Sequence, residues 1–181
     1  MKVEQTQLEG CFIISPKIFH DDRGYFFESF NKKAFKKHTG ISFDIVQDNQ
    51  SKSSKGVLRG FHFQTEPFEQ AKLVTVISGS VFDVCVDLRP NSKTFGKHFS
   101  IVLDGTTKKQ LFIPRGFAHG FLVLEDETVF SYKCDNYYSK DSERGIIYND
   151  KTLNIDWSYN PEDLILSEKD TNLPTFESLF V

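Results

Sequence analysis

Two histidines set among apolar residues are the first candidates for chemistry in this chain. In GVLRGFHFQ (56–64), Arg59, Phe61 and Phe63 alternate with Leu58, Gly60 and His62 along what reads as a β-strand. A period of two puts His62 on the face opposite Arg59, Phe61 and Phe63, unless a bulge at Gly60 re-aims the chain. An imidazole, with an unperturbed pKa of about 6.5, suits a general base when it stands in an apolar-walled cavity and a carboxylate orients it. On its own, such a His reads first as a hydrogen-bonded structural residue.

In LFIPRGFAHGF, Pro114 and Gly116 form a turn that delivers His119 to the start of another strand. The spacing P-x-G-x-x-H resembles the second metal motif of cupins, β-barrels with a His-rich metal site. The other motif here offers only Phe61-His62-Phe63, and a catalytic metal usually needs three protein ligands, so the expectation is no metal. His20, His38 and His98 lie in polar or helical surroundings and read as solvated surface residues. Polar groups also collect near strand ends, in DDRGYFFES (21–29), QDN (47–49), Lys72, SYKCDNYYS (131–139) and SEKD (167–170). Each alone reads as solvent-facing polarity or a helix cap.

The elements that must position these groups are mostly strands. Runs rich in β-branched and aromatic residues recur at 11–15, 24–30, 43–49, 56–64, 72–78, 80–88, 98–104, 110–114, 119–125 and 128–134, separated by Gly, Pro, Asn, Asp or Ser. Gly79-Ser80 marks a tight hairpin. Asn31 can cap a short helix over KKAFKKH, and Ser167 a turn that holds Glu168 and Asp170. Parallel sheets need crossover helices, which are scarce here, so the expectation is an all-β, antiparallel sandwich, jelly roll or barrel. The 19 Phe against one Trp and one Met lean the same way.

The 181 residues fit one domain, 1–181, with a real core. Hydrophobic residues at 39% and charged residues at 26% exclude a membrane protein and a disordered chain. A net charge of -3 gives no basic field to gather nucleic acid. Cys11, Cys85 and Cys134 are odd in number and widely spaced, and read as reduced core thiols. With no basic-then-apolar leader and no membrane-spanning stretch, the expected compartment is the cytoplasm.

Taken in order, VLRGFHFQ, KLVTVISGSVFDVCVDLR, the S-x-T-F-G of SKTFG, IPRGFAHGF and the YK-x-x-x-YY of YKCDNYY resemble the dTDP-4-dehydrorhamnose 3,5-epimerases. The likeness runs from DDRGYFFESF through NIDW to LSEKD, most of the chain. It implies a cupin-like jelly roll that forms homodimers and acts on a dTDP-linked 4-keto-6-deoxy sugar with neither metal nor cofactor. It also implies that His62 is the base, Tyr132 the proton donor, Asp170 the carboxylate that orients the His, and Lys72 the group beside the sugar ketone. Arg23, Phe26, Glu28, Gln47, Asn49, Arg59, His119, Glu143 and Lys169 fall where that family contacts the nucleotide-sugar, and Tyr138 where a ring stacks on thymine. Phe112 and Tyr148 stand where many members have Trp, and the loop QTEPFEQA is idiosyncratic.

This residue set suits the implied reaction. C3 and C5 of a 4-keto sugar both flank the carbonyl, so loss of either proton gives a resonance-stabilised enolate and needs no redox cofactor; no nucleotide-cofactor glycine fingerprint is present. His62 with Asp170 accepts the proton, Lys72 steadies the oxyanion, and Tyr132, protonated at neutral pH, returns a proton from the opposite face. Three alternatives stay open: a relative that inverts one carbon only, a metal-dependent cupin enzyme using His62 and His119, and a non-catalytic sugar-binding module.

Overall fold

The alternating runs fold as thirteen strands in this computed structural model, which describes residues 1–180. They are β1 (Lys2–Gln5), β2 (Phe12–Ser15), β3 (Phe19–Asp21), β4 (Gly24–Phe26), β5 (Gln47–Ser53), β6 (Leu58–Gln64), β7 (Lys72–Ser78), β8 (Ser80–Asp87), β9 (His98–Asp104), β10 (Gln110–Ile113), β11 (Phe117–Val123), β12 (Thr128–Cys134) and β13 (Glu143–Gly145). One sheet has the order β1-β2-β10-β7-β12-β5 and the other β13-β6-β11-β8-β9, while β3 and β4 form a separate hairpin. The strand pairs are antiparallel, as in a cupin-like jelly roll. Helices are short: α1 (Lys32–Thr39), α2 (Glu168–Thr171) and α3 (Phe176–Phe180).

Period-two alternation divides the central strands β7, β8 and β10 between two layers. Val74 and Val76 of β7, Leu111 and Ile113 of β10, and Val81 and Cys85 of β8 point inward and share one core between the sheets. Val84 and Val86 of the same β8 point outward and are covered by Leu153, Trp157 and Phe176 from the C-terminal segment. This double burial explains why VFDVCVDL is apolar almost throughout. On the other sheet's outer face, Phe112 meets Phe35 of α1 at 5.0 Å and Phe43 at 5.3 Å, ring centre to ring centre. Phenylalanines thus fill the place where the family resemblance led us to expect Trp at 112.

The caps form as the sequence indicates. Asn31 Oδ1 accepts from Ala34 N at 3.0 Å, and α1 ends on Gly40 at φ +76°. Ser167 Oγ accepts from Asp170 N at 3.1 Å, which starts the single turn of α2. The three cysteines are buried and free, with Cys11 and Cys85 Sγ 3.7 Å apart.

Several expectations are corrected. The strand expected at 43–49 lies at Gln47–Ser53, because its bounds follow the ladder to β12 from Cys134↔Gln47 to Thr128↔Ser53, and Phe43 turns into the cluster over α1. Of 24–30 only Gly24–Phe26 is a strand, paired with Phe19–Asp21. Gly79-Ser80 does not close a hairpin: β7 pairs with β10 and β12 and β8 with β11 and β9, so the chain crosses there from one sheet to the other. His98 sits half-buried in β9, where burial, helped by Lys97, lowers its pKa; it is not a solvated surface residue. The S-x-T-F-G motif has a structural use. Ser92 and Thr94 hydroxyls donate to Asp87 Oδ2 at 2.6 and 2.7 Å, and Arg89 binds both carboxylate oxygens at 2.8 and 2.7 Å. Burial works against the charge of Asp87, but these donors win and bring its pKa down to about 2.

Candidate active site

A break in the alternation of β6 sets the geometry of the site. Leu58 and Phe61 both pack outward against the C-terminal layer, while Arg59 and His62 both line the space between the sheets. Each pair is three residues apart, so one residue has been inserted, and the register against β11 shifts between His119 and Phe121. Gly60 occupies the irregularity at φ +122°, where a Cβ would stand 2.5 Å from Gly120 Cα and 2.9 Å from His119 O. Strict alternation would have set Arg59 and His62 on opposite faces; the bulge brings them together.

The cavity has a volume of about 590 Å³. From the five-stranded sheet come Arg59, His62, His119 and Glu143; from the six-stranded sheet come Asn49, Lys72 and Tyr132; the segments after β12 add Tyr138, Lys169 and Asp170. The four residues expected to do the chemistry therefore share one cavity, with His62 and Tyr132 on facing sheets. Gln47 braces the wall: its amide bonds Asn49 Oδ1 at 3.0 Å and accepts from Tyr138 N at 2.9 Å. Arg23, Phe26 and Glu28 do not line the cavity. They lie on or beside the β3–β4 hairpin, with Phe26 70% exposed, Arg23 paired to Asp21 and Glu28 accepting from Asn31.

His62 is held between carboxylates. Its Nε2 lies 2.8 Å from Asp170 Oδ1, an ion-pair contact off the line of the ring N–H, and its Nδ1 lies 3.8 Å from Glu143 Oε1. Burial works to raise the Asp170 pKa, but the His62 contact, Ser167 and Lys169 outweigh it and keep the carboxyl below its usual range. Glu143 Oε2 accepts from Lys169 Nζ at 2.6 Å and Tyr138 O–H at 2.9 Å, and these bonds likewise overcome burial and hold its pKa low.

On the opposite wall, burial pushes the Tyr132 phenol up, with Cys134 and Glu143 adding and Arg59 opposing, so it retains its proton at neutral pH. The Lys72 ammonium stands 5.8 Å from the centre of the Tyr132 ring. Burial draws its pKa down against the pull of Cys134, Asp83 and Glu143. The site thus offers a base, a protonated phenol and a cation around one space, a set that can remove a proton, hold an oxyanion and return a proton.

Asp83 was missed by the sequence reading. It is fully buried, and its Oδ2 lies 2.9 Å from His119 Nε2. The signal was present: a carboxylate at an inward position between Val81 and Cys85 needs a partner. Gln64, Gln70 and Ser51 also line the cavity and had no distinguishing pattern. Among the described residues, no group of three His, Cys, Asp or Glu side chains is arranged to hold a metal ion.

Fold and site together define a class, the cupin-like jelly rolls whose interior carries acid–base side chains. The family model described as dTDP-4-dehydrorhamnose 3,5-epimerase matches residues 5–178, and the chain belongs to that family. It is 53% identical over 173 residues to the dTDP-4-dehydrorhamnose 3,5-epimerase of Shigella flexneri, covering 95% of this chain and 94% of the relative. The crystal structure of such an epimerase from Elizabethkingia anophelis superposes with a TM-score of 0.96 at 52% identity, covering 100% of this chain and 99% of the other. A dTDP-6-deoxy-D-glucose-3,5-epimerase from Legionella pneumophila, solved in complex with dTDP-4-keto-L-rhamnose, superposes with a TM-score of 0.93 at 46% identity, covering 97% and 93%.

Proposed function

We propose that this chain, acting as one epimerase domain over 1–181, inverts C3 and C5 of dTDP-4-keto-6-deoxyglucose to give dTDP-4-keto-L-rhamnose. The observation that carries the reading is the placement of His62 and Tyr132 on facing sheets of one cavity. His62, oriented by Asp170, takes the proton beside the ketone, and the Lys72 ammonium stabilises the enolate oxygen, a contribution of about 3 kcal/mol by analogy with oxyanion donors. Tyr132 delivers a proton from the other face, which turns removal and return into inversion. Arg59 and Lys169 meet the diphosphate, and Tyr138, half-exposed at the cavity mouth, offers its ring to the thymine.

The reading includes a homodimer. Arg23, Phe26 and Glu28 match substrate contacts of the family yet lie outside this chain's own cavity, so a second copy is the natural source of those contacts. Three buried, unpaired thiols fit work in the reducing cytoplasm.

Incubation with the dTDP-linked keto-sugar in deuterated water, followed by proton NMR, tests the activity. Deuterium entering at both C3 and C5 with inversion is the expected result; exchange at one carbon alone, or wild-type turnover by His62→Ala, would refute it. For the dimer, mixing inactive His62→Ala with inactive Arg23→Ala should restore part of the activity through hybrid sites; no recovery would refute the shared site.

A further inference from the structure

His62 and Asp170 come from parts of the fold that no strand ladder joins. His62 is fixed by β6, but Asp170 sits on the single turn of α2, which has too few internal hydrogen bonds to hold itself. Its position is therefore set by the chain on either side, and both sides are tied back to β6 or its neighbour β13. Before α2, Ile165 N donates to Gly56 O at 2.9 Å, and Ile165 O accepts from Leu58 N at 3.0 Å, where β6 begins. After α2, Leu173 lies against β13: a Cβ at Gly145, the residue opposite His62, would stand 2.7 Å from Leu173 Cδ2. Pro174 O then accepts from Ile147 N at 2.9 Å.

Asp150 closes this second tie. It is 5% exposed and gives both carboxylate oxygens to backbone N–H groups: Oδ1 accepts from Thr152 N and Leu153 N, each at 2.9 Å, and Oδ2 from Phe176 N at 2.7 Å. One buried carboxylate thus joins the turn after β13 to the tail beyond Asp170. An amide could not serve both ends, because its single oxygen would leave an NH2 group facing one of these donors. Resting on the reading of His62 as base and Asp170 as its orienting carboxylate, we propose that Asp150 is a positioning residue, which with Leu173 clamps the tail so that Asp170 meets His62. The chemistry needs such a clamp, since a misplacement of about 1 Å can cost about a hundredfold in rate. Two short side chains in contact at 2.8 Å have no reach to recover it. Lys169, on the same turn, is less sensitive, because its long stem lets the ammonium follow the diphosphate. Loosening the clamp therefore slows turnover more than it weakens nucleotide binding.

A double-mutant cycle on kcat tests this, with Asp150→Asn and Asp170→Asn made singly and together and each assayed at a temperature where circular dichroism shows it folded. Asp150→Asn should lower kcat by about tenfold or more in the wild-type background, but by less than about twofold in Asp170→Asn, where the contact it serves is already lost. The Kd for dTDP should change far less than kcat does. A general loosening of the fold would instead multiply kcat by the same factor in both backgrounds. A loss that does not shrink in Asp170→Asn, an unchanged kcat in Asp150→Asn, or a fall in dTDP affinity as large as the fall in kcat overturns the proposal. If Asp150→Asn does not fold, Leu173→Ala takes its place in the cycle and is read in the same way. A wild-type kcat in Asp170→Asn itself removes the reading of that residue and the clamp's purpose with it, a failure distinct from equal losses in the two backgrounds.

Discussion

His62 and His119 stand directly opposite each other across the β6–β11 ladder, and each has its own carboxylate, Asp170 at 2.8 Å and Asp83 at 2.9 Å. Their surroundings differ in ways that assign different work. The His62 side chain is 26% exposed and its carboxylate comes from the one-turn helix α2, outside both sheets. His119 is 7% exposed and is bound within its own sheet, to a carboxylate on the adjacent strand β8. The first arrangement can exchange protons with a ligand; the second is a fixed part of the wall.

Substituting the two carboxylates should separate these roles. Asp170→Asn keeps the shape but removes the charge that orients His62, and should lower kcat by about a hundredfold or more with dTDP affinity near wild type. Asp83→Asn leaves a buried imidazole with an altered partner and should show chiefly as lost stability, about 1–3 kcal/mol in denaturant unfolding. Equal kcat losses in the two variants would contradict the division.

Gly60→Ala tests the bulge that brings Arg59 and His62 to one face. The new Cβ would meet the backbone of Gly120, its Cα at 2.5 Å, at a φ of +122°. The strands must separate or the chain must re-register, at a cost of about 2–4 kcal/mol. Thermal unfolding and turnover should fall together. A variant with wild-type Tm and activity would show that the close approach is not required.

Asp87 predicts the direction of acid sensitivity. Its folded pKa, about 2, lies below the reference of 3.8, so its contribution is fully present above about pH 4 and is lost as the pH falls toward 2. The difference amounts to roughly 2 kcal/mol. Urea midpoints measured across that window should fall more steeply for wild type than for Asp87→Asn, which starts lower and has no such charge to lose. Parallel slopes would mean that the donors from Arg89, Ser92 and Thr94 do not favour the ionised form.

The fold class was legible because strand period, turn residues and scarce helix all agreed, and the caps at Asn31 and Ser167 because capping is local chemistry. Strand edges were less legible. The position of β5 depends on its ladder to β12, a long-range pairing that no local pattern carries. The site was legible through family likeness more than through spacing: alternation alone separates Arg59 from His62, and the bulge that unites them is marked only by one glycine. Arg23, Phe26 and Glu28 show the limit of reading one chain, since their place outside the cavity follows from tertiary structure.

Tyr132→Phe makes the sharpest test of the two-wall arrangement. The phenylalanine keeps the ring packed near Phe130 and Lys72 but removes the O–H from the cavity wall. His62 can still take the proton beside the ketone and the enolate still forms, yet the proton can return only from the His62 side. In deuterated water the variant should therefore exchange ring hydrogens while the carbons keep their original configuration, and inverted product should fall by about a hundredfold or more. Retention with exchange separates loss of the donor from loss of the base, which stops exchange altogether. If Tyr132→Phe inverts both carbons at the wild-type rate, the returning proton comes from some other group and the phenol has no part in the chemistry.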